Sequence, residues 1–428
     1  MATSMLNSMI LLSKEIGDYW SSTTTSSGST TTIVDTALKA YPNSWIDSQS
    51  AMMWDQITSG TYDEEERKIT SLDNGTLNTL AHGGTIASGV TYMVHRLFSG
   101  SEKRRALVNA CKFSYPSLFG KIRDETMVSG NWLKDGSFEI WTSSSALTYW
   151  TTTTSTIAKT STAYYFKHGK YSCKIDTAAG SIKQSVSNWD DLKRLAGKTV
   201  TFTAQGRSDT ASCLRLAIYD GTDYTYSDYH NGDDVWTDDP LEVTATISDN
   251  PSVIEFYIYH DVAAGTSYVD DARVIGPYQP RIYIGNLGLT QNKPFQVLIE
   301  DSDYDTSEPW TMIHGIKYAD GYMYLPDSVP RDYRLRIIGI SYLDFYDSSG
   351  DVGTDWDDTV AIDSPQLEIL IAQAAIYLWG QRVLPSWGTG ENQQAQLALA
   401  YWENQLEVRI KKFAMKLPNG TINFASSG

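Results

Sequence analysis

A change of texture at Leu133 that reverses near Gly276 limits this chain more than any other feature. Between those points the sequence runs in short alternating segments rich in Thr, Tyr and Val, with turn residues recurring about every 8–12 positions. The strand-like segments are "KYSCKID" (170–176), "KTVTFTAQG" (198–206), "CLRLAIYD" (213–220), "LEVTATI" (241–247), "SVIEFYIYH" (252–260) and "SYVDDARVI" (267–275). Alternation with a period of two buries one face of a strand and leaves the other to solvent. The pattern predicts an all-β sandwich, with "LKDGSFEIW" (133–141) as its first strand.

The flanks read differently. Met5, Met9, Leu12 and Ile16 recur at helical spacing and predict a short amphipathic helix. "SSTTTSSGSTTT" (21–32) reads as a low-complexity linker or an extended arm. "RKIT" and "TLNTL", with "DNG" between them, predict a hairpin, and "SGVTYMVHRLF" closes a small β-module. Residues 101–122 read as a helix with Ser101 as N-cap and Leu107, Ala110 and Cys111 on one face. Beyond Pro277, β-like segments lead to two helices. The first starts at Ser364-Pro365, and its apolar face is Leu367, Leu370, Ile371, Ala374 and Leu378. "LPSWGTG" (384–390) reverses the chain. The second helix carries Ala395, Leu399, Trp402, Leu406, Ile410 and Phe413 on one seam. The two helices are expected to pack antiparallel, or against a neighbouring subunit.

The expected fold is therefore α+β and multidomain. A discontinuous host of helices plus a small β-module, residues 1–128 and 278–428, carries an all-β jelly-roll sandwich inserted over 129–277. Insertion is well tolerated where the guest's ends lie together.

Composition narrows the function. The 428 residues carry a net charge of −17 with a pI near 4.7, which argues against nucleic acid as main partner. The 27 Tyr and 13 Trp suit sandwich cores and broad contact surfaces. Cys111, Cys173 and Cys213 are too few for a disulfide framework, so buried free thiols are expected over a Cys173–Cys213 bridge. No segment is a transmembrane candidate, and the apolar run Met9–Leu12 is too short, and lacks the basic flank, for a signal peptide. Folding in a cytoplasm, away from membrane, is expected. The chain has no GxSxG, GxxxxGK[ST] or HExxH run. Its histidines, His82, His95, His168, His230, His260 and His314, are scattered without ligand spacing. No enzyme is expected.

"DGSFE" (135–139), Trp150, "HGKYSCKI" (168–175), "SIKQSV" (181–186), "AGKTVTFTAQG" (196–206) and "SYVDDARVI" (267–275) stand in the order seen in jelly-roll carbohydrate-binding modules of the family 4/9/22 type, which the insert resembles. The resemblance implies a structural calcium held by Glu139 and by Asp270 or Asp271, with a carbonyl near Lys170. The alternative is that these are solvated strand-end charges. It also implies glycan binding on aromatic rings, for which Tyr219, Tyr224, Tyr226, Tyr229 and Trp236 are the candidates. A sugar's C–H face stacks on such rings while Asp and Asn take its hydroxyls. The alternative is that these tyrosines fill the core or a subunit interface.

Residues 29–72 follow a run of "hVDTxL" and "SGxxxGExRxI", with Glu64-Glu65-Glu66-Arg67 at its Gly-Glu-x-Arg part. With "YLPDSVPRDYRLRIIGISYL" (324–343), these host segments resemble neck proteins of tailed bacteriophages, in the loose sense of head-to-tail adaptors and other connector components. That resemblance implies a structural virion protein: a connector ring of identical subunits joining portal to tail, with DNA passing through an acidic lumen and terminal arms (1–32 and 418–428) wrapping neighbours. The alternative function is a lectin-like protein of a virion or cell surface that attaches to host polysaccharide.

Overall fold

Apolar spacing in the flanks and alternation in the middle resolve into five α-helices, among the described residues, and many strands: α1 (Met5–Glu15), α2 (Gly100–Phe113), α3 (Trp189–Leu195), α4 (Leu367–Val383) and α5 (Asn392–Phe413). The structure, a computed structural model, describes residues 2–46, 53–176, 178–300, 310–348, 350–383 and 392–416. The chain divides into two compact units, Met1–Gly120 with Tyr342–Leu417, and Lys121–Ser341.

In the first unit, α1 buries Met5, Met9 and Leu12 in one core with Leu107 and Ala110 of α2 and Ile369, Leu370 and Ala374 of α4. α4 is apolar on nearly every side, as a helix enclosed by others must be. Trp402, Leu406, Ile410 and Phe413 of α5 pack on the same core. Arg409, late in α5, donates to the Glu368 carbonyl at the start of α4 (2.9 Å), so the two helices run antiparallel. The loop 384–390 and the tail 418–428 lie outside the described residues.

The same unit holds a seven-stranded antiparallel sheet. Its order is Ser21–Thr23, Thr91–His95, Trp54–Ile57, Glu66–Asp73, Thr76–Thr79, Thr32–Val34 and Ser26–Ser29. The expected hairpin is present, with Asn74 and Gly75 at φ 42° and 90° in its turn. Two expectations are corrected. The Ser/Thr tract 21–32 is not a linker or arm; it forms strands, as β-branched Thr favours. The helix expected over 101–122 starts at Gly100, capped by Ser99 in a box with Glu102, and ends at Phe113 before Pro116. The chain then enters a strand, Gly120–Val128.

The second unit contains the jelly-roll sandwich. Its strands are β1 (Thr151–Thr153), β2 (Thr156–Thr160), β3 (Ser172–Asp176), β4 (Gly180–Val186), β5 (Thr199–Ser208), β6 (Leu214–Tyr219), β7 (Tyr224–Tyr226), β8 (Leu241–Thr246), β9 (Ile254–His260) and β10 (Ser267–Ile275). One antiparallel sheet has the order β1-β4-β9-β6-β7 and the other β2-β3-β10-β5-β8. Their inner faces share a core that includes Ile182, Phe202, Leu216, Phe256 and Val269. All six segments read as strands form strands. The opening stretch does not: in 133–140 Asp135 and Phe138 adopt φ 51° and 55°, and the Asp135 carboxylate accepts from the Glu139 and Ile140 amides (2.8 and 3.0 Å). Those amides are held by a side chain and make no ladder, and Phe138 turns inward to stack on Trp150. The sandwich's two ends meet: the Trp132 amide donates to the Val274 carbonyl (3.0 Å) and the Ala272 amide to that of Gly136 (2.7 Å).

Besides α3 and a short two-stranded ribbon (Trp141–Ser143, Ala146–Leu147), this unit has a four-stranded sheet (Thr311–Met312, Gln296–Ile299, Arg334–Ser341, Gly120–Val128) and a three-stranded one (Arg281–Tyr283, Tyr322–Tyr324, Lys317–Ala319) around Ile284, Val297, Met323, Leu335 and Ile337. The sequence reading assigned 121–128 and 278–341 to the host; the compact division groups them with the sandwich. No helix among the described residues is long and apolar enough to cross a membrane.

Candidate functional site

The outward face of the β1-β4-β9-β6-β7 sheet follows from alternation. In β9, Phe256 and Ile258 point into the core, which leaves Glu255, Tyr257 and Tyr259 outside. In β6, Leu214, Leu216 and Ile218 point in, leaving Arg215, Ala217 and Tyr219. Register sets Lys183, Tyr257, Ala217 and Tyr226 in one row across the sheet, and Ser185, Glu255, Tyr219 and Tyr224 in the next.

Four tyrosine rings form a near-square on this face. Centroid separations are 6.0 Å for Tyr224–Tyr226, 5.7 Å for Tyr224–Tyr257, 6.0 Å for Tyr226–Tyr259 and 5.2 Å for Tyr257–Tyr259. Ala217 lies in register between Tyr226 and Tyr257, and its small side chain lets rings from β7 and β9 approach across β6. Tyr224 and Tyr226 are each 44% exposed, while Tyr257 is nearly buried. Tyr219 adds a fifth ring, 4.8 Å from Tyr224.

Paired charges pin the square. The Arg215 guanidinium lies over Tyr226 (4.2 Å) and Tyr229 (4.6 Å), with Nε 2.9 Å from Asp261 Oδ2, which also accepts from the Tyr229 hydroxyl (2.7 Å). Lys183 Nζ donates to Glu255 (2.7 Å) and to the Tyr257 hydroxyl (3.1 Å). Burial, then its bond to Glu255, pushes the Tyr257 hydroxyl up, and burial with nearby tyrosines pushes Tyr259 up to about 12. Both hydroxyls stay protonated at neutral pH; Tyr257 donates its proton to Glu255, and Tyr259 can donate to a ligand.

Of the residues named from sequence, Tyr219, Tyr224, Tyr226 and Tyr229 meet on this face. Trp236 does not. Its indole N–H donates to the Tyr164 carbonyl (3.2 Å), beside the other sheet, where Tyr164 covers Arg207 (4.0 Å) and Tyr165 stacks on Tyr268 (4.3 Å). Asp234 pairs with Arg207 (2.9 Å), which fixes that loop segment along β5. Sequence reasoning missed Tyr257, Tyr259, Arg215 and Lys183. The signal for the two tyrosines was present, since both alternate with core residues in "SVIEFYIYH".

The carboxylates named for calcium are dispersed among different partners. Glu139 Oε1 accepts from the Lys170 and Tyr171 amides (2.7 and 3.0 Å), and Asp270 Oδ2 from those of Lys167 and His168 (2.7 and 2.8 Å). Asp271 is bound by two guanidiniums, Arg273 (2.8 Å) and Arg334 (2.6 Å), and does not fit a calcium site. Glu139 fits better. Burial, together with the charges of Asp135 and Asp124, raises it to about 7, a cost that a hard dication would relieve. Among the described residues no group of three or more His, Cys, Asp or Glu is gathered closely enough to ligate a metal.

The cysteines are free and buried, so no Cys173–Cys213 bridge forms. Cys213 Sγ lies 3.2 Å from His260 Nδ1, but both side chains are fully enclosed and face no substrate-accessible space.

No family model and no curated protein matches the sequence. Several solved structures resemble part of the chain. The family 61 carbohydrate-binding module TmCBM61, in complex with beta-1,4-galactotriose, has 15% identity over 34% of this chain and 97% of that one, with a TM-score of 0.26. The CBM22-1 xylan-binding domain from Paenibacillus barcinonensis Xyn10C has 16% identity over 36% of this chain and 96% of that one, with a TM-score of 0.26. The enzymatically active domain of tailspike protein 4 of bacteriophage CBA120 has 10% identity over 34% and 21%, with a TM-score of 0.27.

Proposed function

We propose that this chain is a polysaccharide-binding protein that holds its ligand on the tyrosine square of the sandwich. The observation that carries the reading is four rings set 5.2–6.0 Å apart on an outward sheet face, each pair contributed by alternate residues of one strand. Sugar rings present C–H faces to such platforms, and the outward tyrosine hydroxyls supply directional bonds. The face binds without cleaving. Glu255 and Asp261, the carboxylates bonded to its rings, are each tied to a cation and a tyrosine hydroxyl, whereas glycoside hydrolysis needs a free acid and base across the scissile bond.

The test is affinity electrophoresis of the full chain in polysaccharide gels. Tyr226→Ala and Tyr259→Ala should each weaken retention roughly three- to tenfold, the worth of one aromatic contact. Trp236→Ala should leave it unchanged. Equal retention of wild type and both tyrosine variants would refute the site. Calcium, with Glu139 and Asp270 as carboxylate ligands, belongs to this proposal as a structural brace, and its measure is a rise in the sandwich's Tm on adding the ion.

A second role, as a self-assembling connector subunit of a phage virion, is favoured by one observation. Leu397, Tyr401 and Val408 form an exposed apolar stripe on α5, away from the seam that packs on α4. Light scattering of the purified chain with and without Leu397→Glu decides it: a ring-sized species lost in the variant supports assembly, and a monomer in both removes it.

A further inference from the structure

Cations are scarce around the tyrosine face. Between Arg215 and Arg273 the sequence contains no Lys or Arg, although this span supplies β7, β9 and the loops that bound the square. Carboxylates stand at both ends of it. Asp220 and Asp223 close the β6–β7 turn beside Tyr219 and Tyr224, and Asp228 and Asp261 follow Tyr226 and His260 at the opposite end. Asp223 and Asp228 are exposed.

A polysaccharide bearing uronate, sulfate or phosphate needs a free cation, most effectively the fork of an arginine. Lys183 and Arg215 are the cations at the outward positions described above. Lys183 is held between Glu255 and the Tyr257 hydroxyl. Arg215 lies flat on Tyr226 and Tyr229 with its Nε at Asp261. Turning either toward an incoming anion would take the counter-charge from a carboxylate and strip a ring of its cation. The fringe aspartates add repulsion within a Debye length, about 8 Å at physiological salt.

We infer that the site selects neutral polysaccharide and rejects anionic polysaccharide, the paired cations withholding counter-charge and the aspartate fringe repelling it. This rests on the glycan-binding reading proposed above. The test compares matched pairs in affinity gels with the full chain: hydroxyethylcellulose against carboxymethylcellulose, galactan against polygalacturonate, and unsubstituted xylan against glucuronoxylan. The expected result is retention by at least one neutral polymer and at least tenfold weaker retention by its acidic counterpart at low salt. The triple variant Asp220→Asn, Asp223→Asn, Asp228→Asn should narrow that gap. Equal or stronger retention by the acidic member overturns the inference and leaves glycan binding intact. An unchanged gap in the triple variant overturns the role of the fringe. Retention by none of the six polymers overturns glycan binding itself, and the selectivity with it.

Discussion

Glu64 occupies φ 72°, a conformation that costs a side chain roughly 1–2 kcal/mol and costs glycine nothing. Burial, with the charges of Asp355 and Asp63, adds a further cost to its carboxylate. Glu64→Gly should therefore raise stability by about 0.5–1 kcal/mol, read as a higher urea midpoint with unchanged slope. Gly136 is the converse case. A Cβ there would sit 1.9 Å from the Ala272 carbonyl oxygen, so Gly136→Ala should push the opening segment off β10 and lower the sandwich's Tm by several degrees. Two histidines give opposite pH trends. His82 lies 3.0 Å from Asp55 and 3.1 Å from Glu65; burial lowers it, but the two carboxylates outweigh burial and raise it above its ordinary 6.5. Its contribution is complete below pH 6.5 and is lost as pH rises through the higher folded value. His95, fully buried beside Lys103, is depressed, so its contribution holds above pH 6.5 and fades as pH falls. Urea midpoints across pH 5–9 should show the alkaline decline shrink in His82→Gln and the acid decline persist.

Helix α2 shows how much of an element its sequence reveals. Its apolar spacing and a nearby serine were legible, but the true cap, Ser99, becomes clear only from the reciprocal bond with Glu102. What seats the helix was not legible, because the partners come from distant strands. Glu66 accepts from the Gly100 and Ser101 amides, and buried Lys103 reaches Asp18 Oδ2 (2.8 Å) and His95 Nδ1 (3.0 Å). Asp18 in turn accepts from the amides of Arg96, Leu97 and Phe98. Lys103→Met should destabilise the unit by about 3–5 kcal/mol, because it leaves Asp18 buried without its cation. Equilibrium denaturation measures it, and a cost below about 1 kcal/mol would mean Asp18 is satisfied by amides alone. The tyrosine face divides the same way. Alternation within β9 marks Tyr257 and Tyr259 as outward, yet the square needs the register of three strands, which alternation does not specify. Trp236 was grouped with Tyr224–Tyr229 by nearness in sequence, but the 227–240 loop crosses from β7 to the edge of β5.

The sandwich was legible because strands such as β8 and the first half of β5 alternate and its two ends carry matching motifs. The boundary around it was less so. Strand Gly120–Val128 pairs with Arg334–Ser341, and Arg334 and Asp332 grip Asp271 and Arg273 of β10. A fragment spanning 121–341 should accordingly fold and retain polysaccharide like the full chain, whereas 129–277 should be less stable for want of those ion pairs, as thermal melts of the two fragments would show. The first unit has another dependence. The apolar faces of α1 and α2 are covered by α4, and some 220 residues of the other unit separate them in the chain. At about 5–20 residues per second, a ribosome spends roughly 10–40 s making that intervening stretch. Throughout that interval the amino-terminal helices stand emerged without their cover, so the nascent chain is most in need of chaperone protection well before its last helix is translated.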